Sequence, residues 1–302
     1  MKLIFRYLLL IGSFYVSKAQ SPNNMVNNES IVYGDYSLFT DIGDVEISNK
    51  SLKMNLSKKF STVNALFAVS YENHSRRFKD IFEGQLFNSF KTSYLVGFSA
   101  AFKKTYEDNW TAGWTFAPQL NSTFQSAANG DDLILAGNIQ IGKSWNPSIL
   151  YRKAEIIFGL HYDTLFGAPQ LYPLVAYSNW INQSWSYTIG FPHSNLNYSL
   201  NNNQNISFLI HSESNFTNNS AEISINGTDT FLNSKLESRS LAISLNYDSI
   251  LGDYWIAGFG ISYLPITELR ILDTFNNQLY QFDGSESLGI NFRVKYKLNK
   301  MK

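Results

Sequence analysis

The strongest constraint on this chain is a two-residue alternation of apolar with small or polar side chains, which recurs along most of its length. It is clearest in ESLGINFRVKYKL (286–298) and recurs in NWTAGWTFA (109–117), SLAISLNYD (240–248) and DYWIAGFGISYL (253–264). Successive side chains of a β-strand point to opposite faces, so each segment predicts a strand with one apolar face. The chain is therefore expected to be all-β.

The number and length of these runs favour a barrel. We identify fourteen, near residues 31–41, 45–57, 62–73, 91–104, 109–120, 132–145, 149–162, 170–180, 184–191, 205–214, 219–227, 237–247, 253–274 and 278–298. Most have about the 9 to 11 residues that a tilted strand needs to cross a bilayer. Short connections largely alternate with longer ones, which is typical of an outer-membrane barrel with short periplasmic turns. The predicted fold is a transmembrane antiparallel up-and-down β-barrel of about 14 strands, with 12 as the alternative if one hairpin is demoted.

The alternation alone does not decide which face looks outward. A soluble barrel turns its apolar face inward, whereas a membrane barrel turns it toward lipid. The chain contains 23 Phe, 18 Tyr and 6 Trp, and aromatic girdles at both bilayer interfaces account for that content directly. We therefore expect a porin-like barrel in a Gram-negative outer membrane, with outer-membrane lipid as its surroundings. A secreted soluble β-barrel that binds a ligand in an apolar core is the alternative.

The N-terminal segment predicts export. Two basic residues precede a largely apolar run, Tyr7–Val16, and small residues up to Ala19 follow it. This pattern is typical of a signal peptide over 1–19, which leaves 20–302 as one barrel domain. The run is shorter than the roughly 20 residues of a membrane-spanning helix. Cysteine is absent, so no lipid-attachment cysteine exists, and 24 basic residues balance 24 acidic ones. Nucleic acid, which calls for a basic patch, is not expected as a partner.

Three stretches carry a family resemblance: PLVAYSNW (Pro173–Trp180), SWSYTIGFPHSNLNYSL (Ser184–Leu200) and the closing RVKYKL (Arg293–Leu298). Together they resemble an uncharacterised family of bacterial outer-membrane barrel proteins, the domain of unknown function 6268. The resemblance implies a β-barrel over nearly the whole exported chain, and it implies no established activity.

Candidate catalytic residues are few. His193 and Ser194 are adjacent, but neighbours on a strand point to opposite faces and do not make a nucleophile and its base. Asp131 and Asp132 fall at a loop-to-strand junction, where solvated turn acids are expected. No spacing of His, Asp and Glu resembles a metal-ligand set. We therefore predict a non-enzymatic protein without catalytic residues, cofactor or metal. A barrel enzyme acting on lipid or peptide at the outer rim is the alternative.

If the apolar faces look at lipid, the opposite faces define a lumen. The charged and histidine side chains expected there are Asp35, Lys53, Glu72, Lys153, Glu155, His161, His211, Glu213, Glu222, Arg293 and Lys295. Both signs occur, so these residues either tune a polar passage for small solutes or fill the interior with ion pairs. Closure of the barrel further predicts that the first strand pairs with the last and brings Asp35 near Arg293 or Lys295. Nothing in the sequence indicates an oligomeric state.

Overall fold

The computed structural model describes residues 30–79, 85–146, 154–225, 229–284 and 286–298. The signal peptide predicted over 1–19 and the predicted lumen residue Lys153 lie outside these ranges. One α-helix, α1 (Gln85–Asn88), and two single-turn 3-10 helices, Glu107–Asn109 and Gly130–Asp132, fall within them. Among the described residues, no helix is long and apolar enough to cross a membrane.

The described residues otherwise form β-strands. These are β1 (Ile31–Phe39), β2 (Val45–Phe60), β3 (Val63–Phe78), β4 (Thr92–Thr105), β5 (Trp110–Ser122), β6 (Leu133–Trp145), β7 (Ala154–Asp163), β8 (Gln170–Trp180), β9 (Trp185–Phe191), β10 (Ser194–Asn201), β11 (Gln204–Asn219), β12 (Ile223–Ile225), β13 (Asp229–Phe231), β14 (Ser234–Leu251), β15 (Trp255–Leu272), β16 (Gln278–Gln281) and β17 (Ser287–Lys297). Fourteen of them, β1 to β11 with β14, β15 and β17, pair in one closed ring.

The seam between β1 and β17 closes the ring. The two strands are antiparallel over their shared length, from Ile31 opposite Lys297 to Phe39 opposite Gly289. Asp35 stands directly opposite Arg293, which confirms the pairing predicted from closure. The remaining neighbours in the ring are also antiparallel. The chain is therefore a 14-stranded antiparallel barrel, as predicted.

The strand count is right although two individual strands are predicted wrongly, one too many and one too few. The barrel strand predicted over 219–227 is wrong, because β12, which lies there, pairs only with β13 and not with the ring. Glu222 consequently lies exposed in an outer connection, not in the lumen. In turn, β10 lies in the segment 192–204 that the sequence suggests is a loop. Its asparagines resemble turn residues, yet Leu196, Tyr198 and Leu200 keep the alternation of a strand.

The outward faces of the ring are apolar. Phe259, Phe292 and Trp114 are 44%, 48% and 48% exposed, whereas Arg293 and Lys295 turn inward and meet acidic partners. This confirms the predicted orientation and is the reverse of a soluble barrel. On β15 the outward series runs from Trp255 to Tyr263, nine residues. That is about 27 Å of strand, or about 21 Å along the axis at a tilt of about 40°, near the ~25 Å apolar band of membrane barrels.

The largest apolar core lies inside the outer end of the barrel, opposite the short turns. Its buried members come from the outer ends of the strands and from the loops that join them: Phe39, Ile42, Val45, Ile47, Phe78, Leu86, Phe90, Ile223, Leu236, Ala242, Leu264, Leu269, Ile271 and Phe282. Three of its rings, Phe78, Phe87 and Phe282, lie within 5.9 Å of one another. Apolar side chains therefore fill the outer mouth, where a pore would hold water.

A charge placed in the outward belt tests the bilayer assignment. Ile139 lies halfway along β6 and is 60% exposed, while Leu251 is 54% exposed at the end of β14 that carries the short turns. We expect Ile139→Arg to lower the free energy of unfolding in lipid by about 2 to 4 kcal/mol and Leu251→Arg by about 0 to 1, since the cost depends on depth. Denaturant unfolding followed by tryptophan fluorescence measures both, and equal costs would contradict the assignment.

Candidate functional site

The polar inner faces surround a cavity of about 160 Å³ in the outer half of the lumen. Inward positions of β2, β3, β7 and β11 supply its charged and histidine side chains, which are Lys53, Glu72, His74, Arg76, His161, Asp163 and Glu213. Four of these, Lys53, Glu72, His161 and Glu213, belong to the lumen set predicted from the sequence.

One wall of the lumen carries a chain of ion pairs. Lys53 Nζ lies 2.9 Å from Glu72 Oε1, and the other oxygen of that carboxylate lies 3.4 Å from His74 Nε2. His74 Nδ1 is 2.7 Å from Asn49 Oδ1. Both side chains of the Lys53–Glu72 pair are about nine-tenths buried. Each charge therefore meets its partner inside the barrel, as buried charges must.

The seam carries a second chain of ion pairs, nearer the rim that carries the short turns. Arg293 Nε lies 3.0 Å from Asp35 Oδ1, and Ser51 Oγ donates to the other Asp35 oxygen at 3.2 Å. Asp248 lies 4.0 Å from Arg293 and 3.8 Å from Lys295. The mixed signs predicted for the lumen are thus paired locally along this wall.

The opposite wall holds smaller polar groups. Tyr172 Oη donates to Asp163 Oδ2 at 2.7 Å and lies 3.2 Å from His161 Nδ1. Two further pairs join Lys103 to Glu155 at 3.5 Å and His211 to Glu213 at 3.3 Å. The predicted lumen residues thus lie on two walls and do not converge on a single centre.

A flap closes the outer mouth. We define it as residues 214–219 of β11, 234–240 of β14 and 266–272 of β15. Ser194, the first residue of β10, stands opposite Ile210, so β11 continues for nine residues (211–219) beyond its neighbour. That is about 30 Å of strand. At its end Asn218 pairs in parallel with Ser122 of β5, on another part of the ring.

Hydrogen bonds fasten the flap tip to the β5–β6 loop. Asn218 Nδ2 donates to Asp132 Oδ1 at 2.8 Å, and the Thr123 amide donates to the Asn218 carbonyl at 3.0 Å. Thr217 Oγ1 donates to Asn121 Oδ1 at 3.1 Å. Beneath these bonds Phe216 packs with Ile134 of β6 and Leu272 of β15.

A second contact fastens the flap to the β7–β8 loop. Glu237, buried and paired with Arg270, accepts the Ala168 amide at 3.1 Å. Gly167 has φ of +86°, and a Cβ there would stand 1.5 Å from the Glu237 carboxylate. Only glycine accommodates both the left-handed backbone and this approach. The described residues therefore close the outer mouth with polar bonds over an apolar layer.

The buried contacts of two polar residues, Asp132 and Arg76, are not predicted from the sequence. The sequence predicts that Asp132 is a solvated turn acid, but the structure buries it fully. Besides the bond from Asn218, its carboxylate accepts the Asn129 amide at 2.7 Å. Arg76 is buried and donates to the Phe90 carbonyl at 3.1 Å and to Ser93 Oγ at 3.0 Å. The alternation of β3 could have predicted that Arg76 faces inward, because every second residue from Glu72 lies on the inner face.

The pair His193–Ser194 occupies the turn between β9 and β10. The Gly190 amide donates to Ser194 Oγ at 3.1 Å, and that hydroxyl donates back to the Gly190 carbonyl at 3.2 Å. The serine hydroxyl thus joins the ends of the turn. Among the described residues, no group of three or more His, Asp and Glu is placed to hold a metal ion.

An ion cluster lies outside the belt, in the outer loops. Lys79 Nζ bonds the carboxylate of Asp44 and lies 3.3 Å from that of Asp41. These bonds raise the pKa of Lys79, with Asp44 the larger cause. The cluster joins the β1–β2 loop to the end of β3 at the water-exposed surface.

The closed ring, the apolar exterior and the paired polar interior define a transmembrane β-barrel whose outer mouth is closed by its own strands and loops. No family model matches the chain, and no curated protein matches it. Membership of the domain of unknown function 6268 is therefore not confirmed.

Solved barrels show a distant likeness. The NanC porin is 9% identical with a TM-score of 0.39, over 89% of this chain and all of its own. The β domain of the Bordetella autotransporter BrkA is 7% identical with a TM-score of 0.34, over 89% of this chain and 98% of its own. The ferric enterobactin receptor PfeA of Pseudomonas aeruginosa is 6% identical with a TM-score of 0.28, over 81% and 54%. Scores this low add no argument, and the fold rests on the strand pairing.

Breaking the buried ion pair of the first wall tests how strongly the lumen depends on paired charges. We expect Lys53→Met to lower the free energy of unfolding by about 3 kcal/mol, because it leaves Glu72 buried without its closest cation. The double variant Lys53→Met with Glu72→Leu should recover much of that loss. Arg77→Met, which breaks an exposed pair with Glu46, is the control. It should lower the free energy of unfolding by less than about 1 kcal/mol. Denaturant unfolding measures all three, and a double variant as unstable as the single one would contradict the expectation.

Proposed function

We propose that this chain is a non-enzymatic outer-membrane barrel of a Gram-negative bacterium that holds a closed polar chamber instead of a permanently open pore. The observation that carries the proposal is the flap. It crosses the outer mouth, pairs Asn218 with Ser122 and seals an apolar layer beneath it. A barrel closed in this way acts as a structural element of the membrane.

The exterior supports the membrane part of the proposal. Only helices and closed barrels satisfy every backbone hydrogen bond in hydrocarbon, and this ring has no open edge. Its outward belt would otherwise expose a large apolar surface to water, which monomeric soluble proteins rarely do. The short turns lie on the rim where β1 begins and β17 ends, and we assign that rim to the periplasm.

A gated passage for small polar solutes is the second candidate. The cavity of about 160 Å³ beneath the flap favours it, since both charge signs line that space. Displacement of the flap would open the chamber to the outside. In this interpretation Glu72, His161 and Glu213 would contact the solute, and the paired charges would limit selectivity by sign.

The non-enzymatic part rests on the arrangement of the polar groups. A catalytic serine needs a free hydroxyl within reach of a base, whereas Ser194 bonds the backbone of Gly190. Lys53, Glu72, Arg293 and Lys295 are used in ion pairs, and Arg76 and Asp163 are used in hydrogen bonds to Phe90, Ser93 and Tyr172. Membership of the domain of unknown function 6268 belongs to the proposal as well, carried by the three stretches that resemble that family.

Localisation is the first test. We expect the expressed chain to lose residues 1–19 and to sediment with the outer membrane, with Gln20 at the N-terminus of the mature protein. Intact mass measurement and density-gradient fractionation check the two parts separately. Recovery in the soluble periplasmic fraction would overturn the membrane proposal.

Conductance is the second test. In planar bilayers the wild-type barrel should show no steady open levels, because the flap closes the mouth. The double variant Asp132→Ala with Asn218→Ala removes the bond that fastens the flap tip. Openings in this variant alone would support the gated passage, and silence in both would support the structural barrel.

The matched control is Asp131→Ala, which removes the exposed neighbouring carboxylate and leaves the bond between Asn218 and Asp132 in place. It should behave as the wild type. Steady open levels in the wild type would overturn the closed chamber. Turnover of added phospholipid by the wild-type protein would overturn the non-enzymatic assignment.

A further inference from the structure

An apolar groove of about 810 Å³ runs along the outside of the barrel over β4 to β7, near the periplasmic rim. Its floor is Ala112, whose neighbours across the sheet are Lys104 on β4 and Ile141 on β6. One end is bounded by Trp114, whose ring stacks on Phe102 with centroids 4.7 Å apart. The small side chain of Ala112 among large ones produces the depression.

The groove continues into a polar pocket at the rim. Lys104 and Tyr106 line both spaces, and Lys104 Nζ lies 4.8 Å from the centre of the Tyr106 ring. The pocket lies between the β2–β3 and β4–β5 turns. Its lining also includes Lys59, Ser61, Thr62, Asn64, Thr105 and Glu107. Two lysines, four hydroxyl-bearing residues and one glutamate thus line the pocket at the end of the apolar groove.

The charge at this rim is one-sided. Besides Lys103, which pairs with Glu155 inside the barrel, four lysines (Lys58, Lys59, Lys104 and Lys143) lie on β2, β4 and β6 close to the turns, against two acids, Glu107 and Asp108. Elsewhere on the same rim, the described turns 181–184, 202–203 and 252–254 and the strand ends beside them carry Asp253 and Lys297, besides Lys295, which pairs with Asp248. Lysines near a membrane surface attract anionic lipids, each by about 1 kcal/mol.

We propose that this groove and pocket bind one anionic glycerophospholipid of the periplasmic leaflet. An acyl chain lies over Ala112 beside Trp114, and the phosphate meets Lys104 and Lys59, with the hydroxyls of the turns donating to its oxygens. Lysine is a common phosphate ligand, and the apolar channel ends where a headgroup would begin. The proposal rests on the bilayer location proposed above, and it adds a specific lipid site to it.

Native mass spectrometry of the full barrel, released from vesicles of mixed phosphatidylglycerol and phosphatidylcholine with identical acyl chains, tests the site. We expect one phosphatidylglycerol to be retained in preference to phosphatidylcholine. Lys59→Gln with Lys104→Gln should reduce that preference by about fivefold for each lysine. Lys50→Gln, an exposed lysine at the other end of the β2 outward series, is the matched control and should retain the preference.

A second pair of variants tests the acyl groove. Ala112→Phe fills the floor and should reduce retention of both lipids. Ala257→Phe makes the same change on the outward face of β15, between Trp255 and Phe259, and should leave retention unchanged. Circular dichroism and the unfolding midpoint confirm that each variant is folded.

The outcomes separate this site from the membrane proposal. A folded barrel that floats with vesicles yet retains both lipids equally would overturn the lipid site alone. Loss of the preference in Lys50→Gln would also overturn it, since any surface lysine would then suffice. A dimer whose contact buries Ala112 would assign the groove to a second copy of the chain. Failure of the wild type to enter vesicles would overturn the membrane proposal itself.

Discussion

The structure depends on the seam in which β1 pairs with β17. In hydrocarbon an unpaired backbone N–H or C=O costs several kcal/mol, so a sheet of fourteen strands with two free edges could not lie in a bilayer. Nine consecutive residue pairs join the two strands, from Ile31 with Lys297 to Phe39 with Gly289. The Asp35–Arg293 ion pair lies in the middle of the seam, on its inner face. Directly opposite residues share a face, so this register places Asp35 and Arg293 on the same inner side, and the register of each further strand pair does the same for its own strands.

Closure explains why charges accumulate inside and why they occur in pairs. The inner face is the only surface at bilayer depth that lipid does not cover, so Lys53, Glu72 and Arg293 are tolerated there. Lys53 and Glu72 lie on the paired strands β2 and β3, and Arg293 stands opposite Asp35 across the seam, so each of them lies within about 3 Å of an opposite charge. An open porin would leave such groups to water. Here ion pairs take the place of part of that hydration.

The sequence predicts those features that the alternation encodes. It places Phe259, Phe292 and Trp114 outside and Asp35 beside Arg293, because strand direction and face follow from local pattern. The sequence interpretation fails where contacts are non-local. Asn218 pairs with Ser122, 96 positions away, because the strand bends. No periodicity in the sequence predicts this pairing. The expectation that Asp132 is solvated is wrong for the same reason, since its partner Asn218 lies 86 residues away. The failure to predict β10 has a different cause. The asparagines on its inner face give it the composition of a turn.

The flap follows from strands of unequal height. β9 and β10 have 7 and 8 residues, whereas β14 and β15 have 18 each. The outer ends of the long strands rise beyond the short part of the wall and carry apolar residues such as Leu269 and Ile271. Lipid does not reach that height, and straight strands would expose those side chains to water at about 25 cal/mol per Å². By bending over the low wall they bury the apolar residues on the interior and bring Glu237 onto the Ala168 amide. The strands of unequal length therefore complete an apolar core above the membrane by closing the mouth. A permanently open pore would expose the side chains of that core to water.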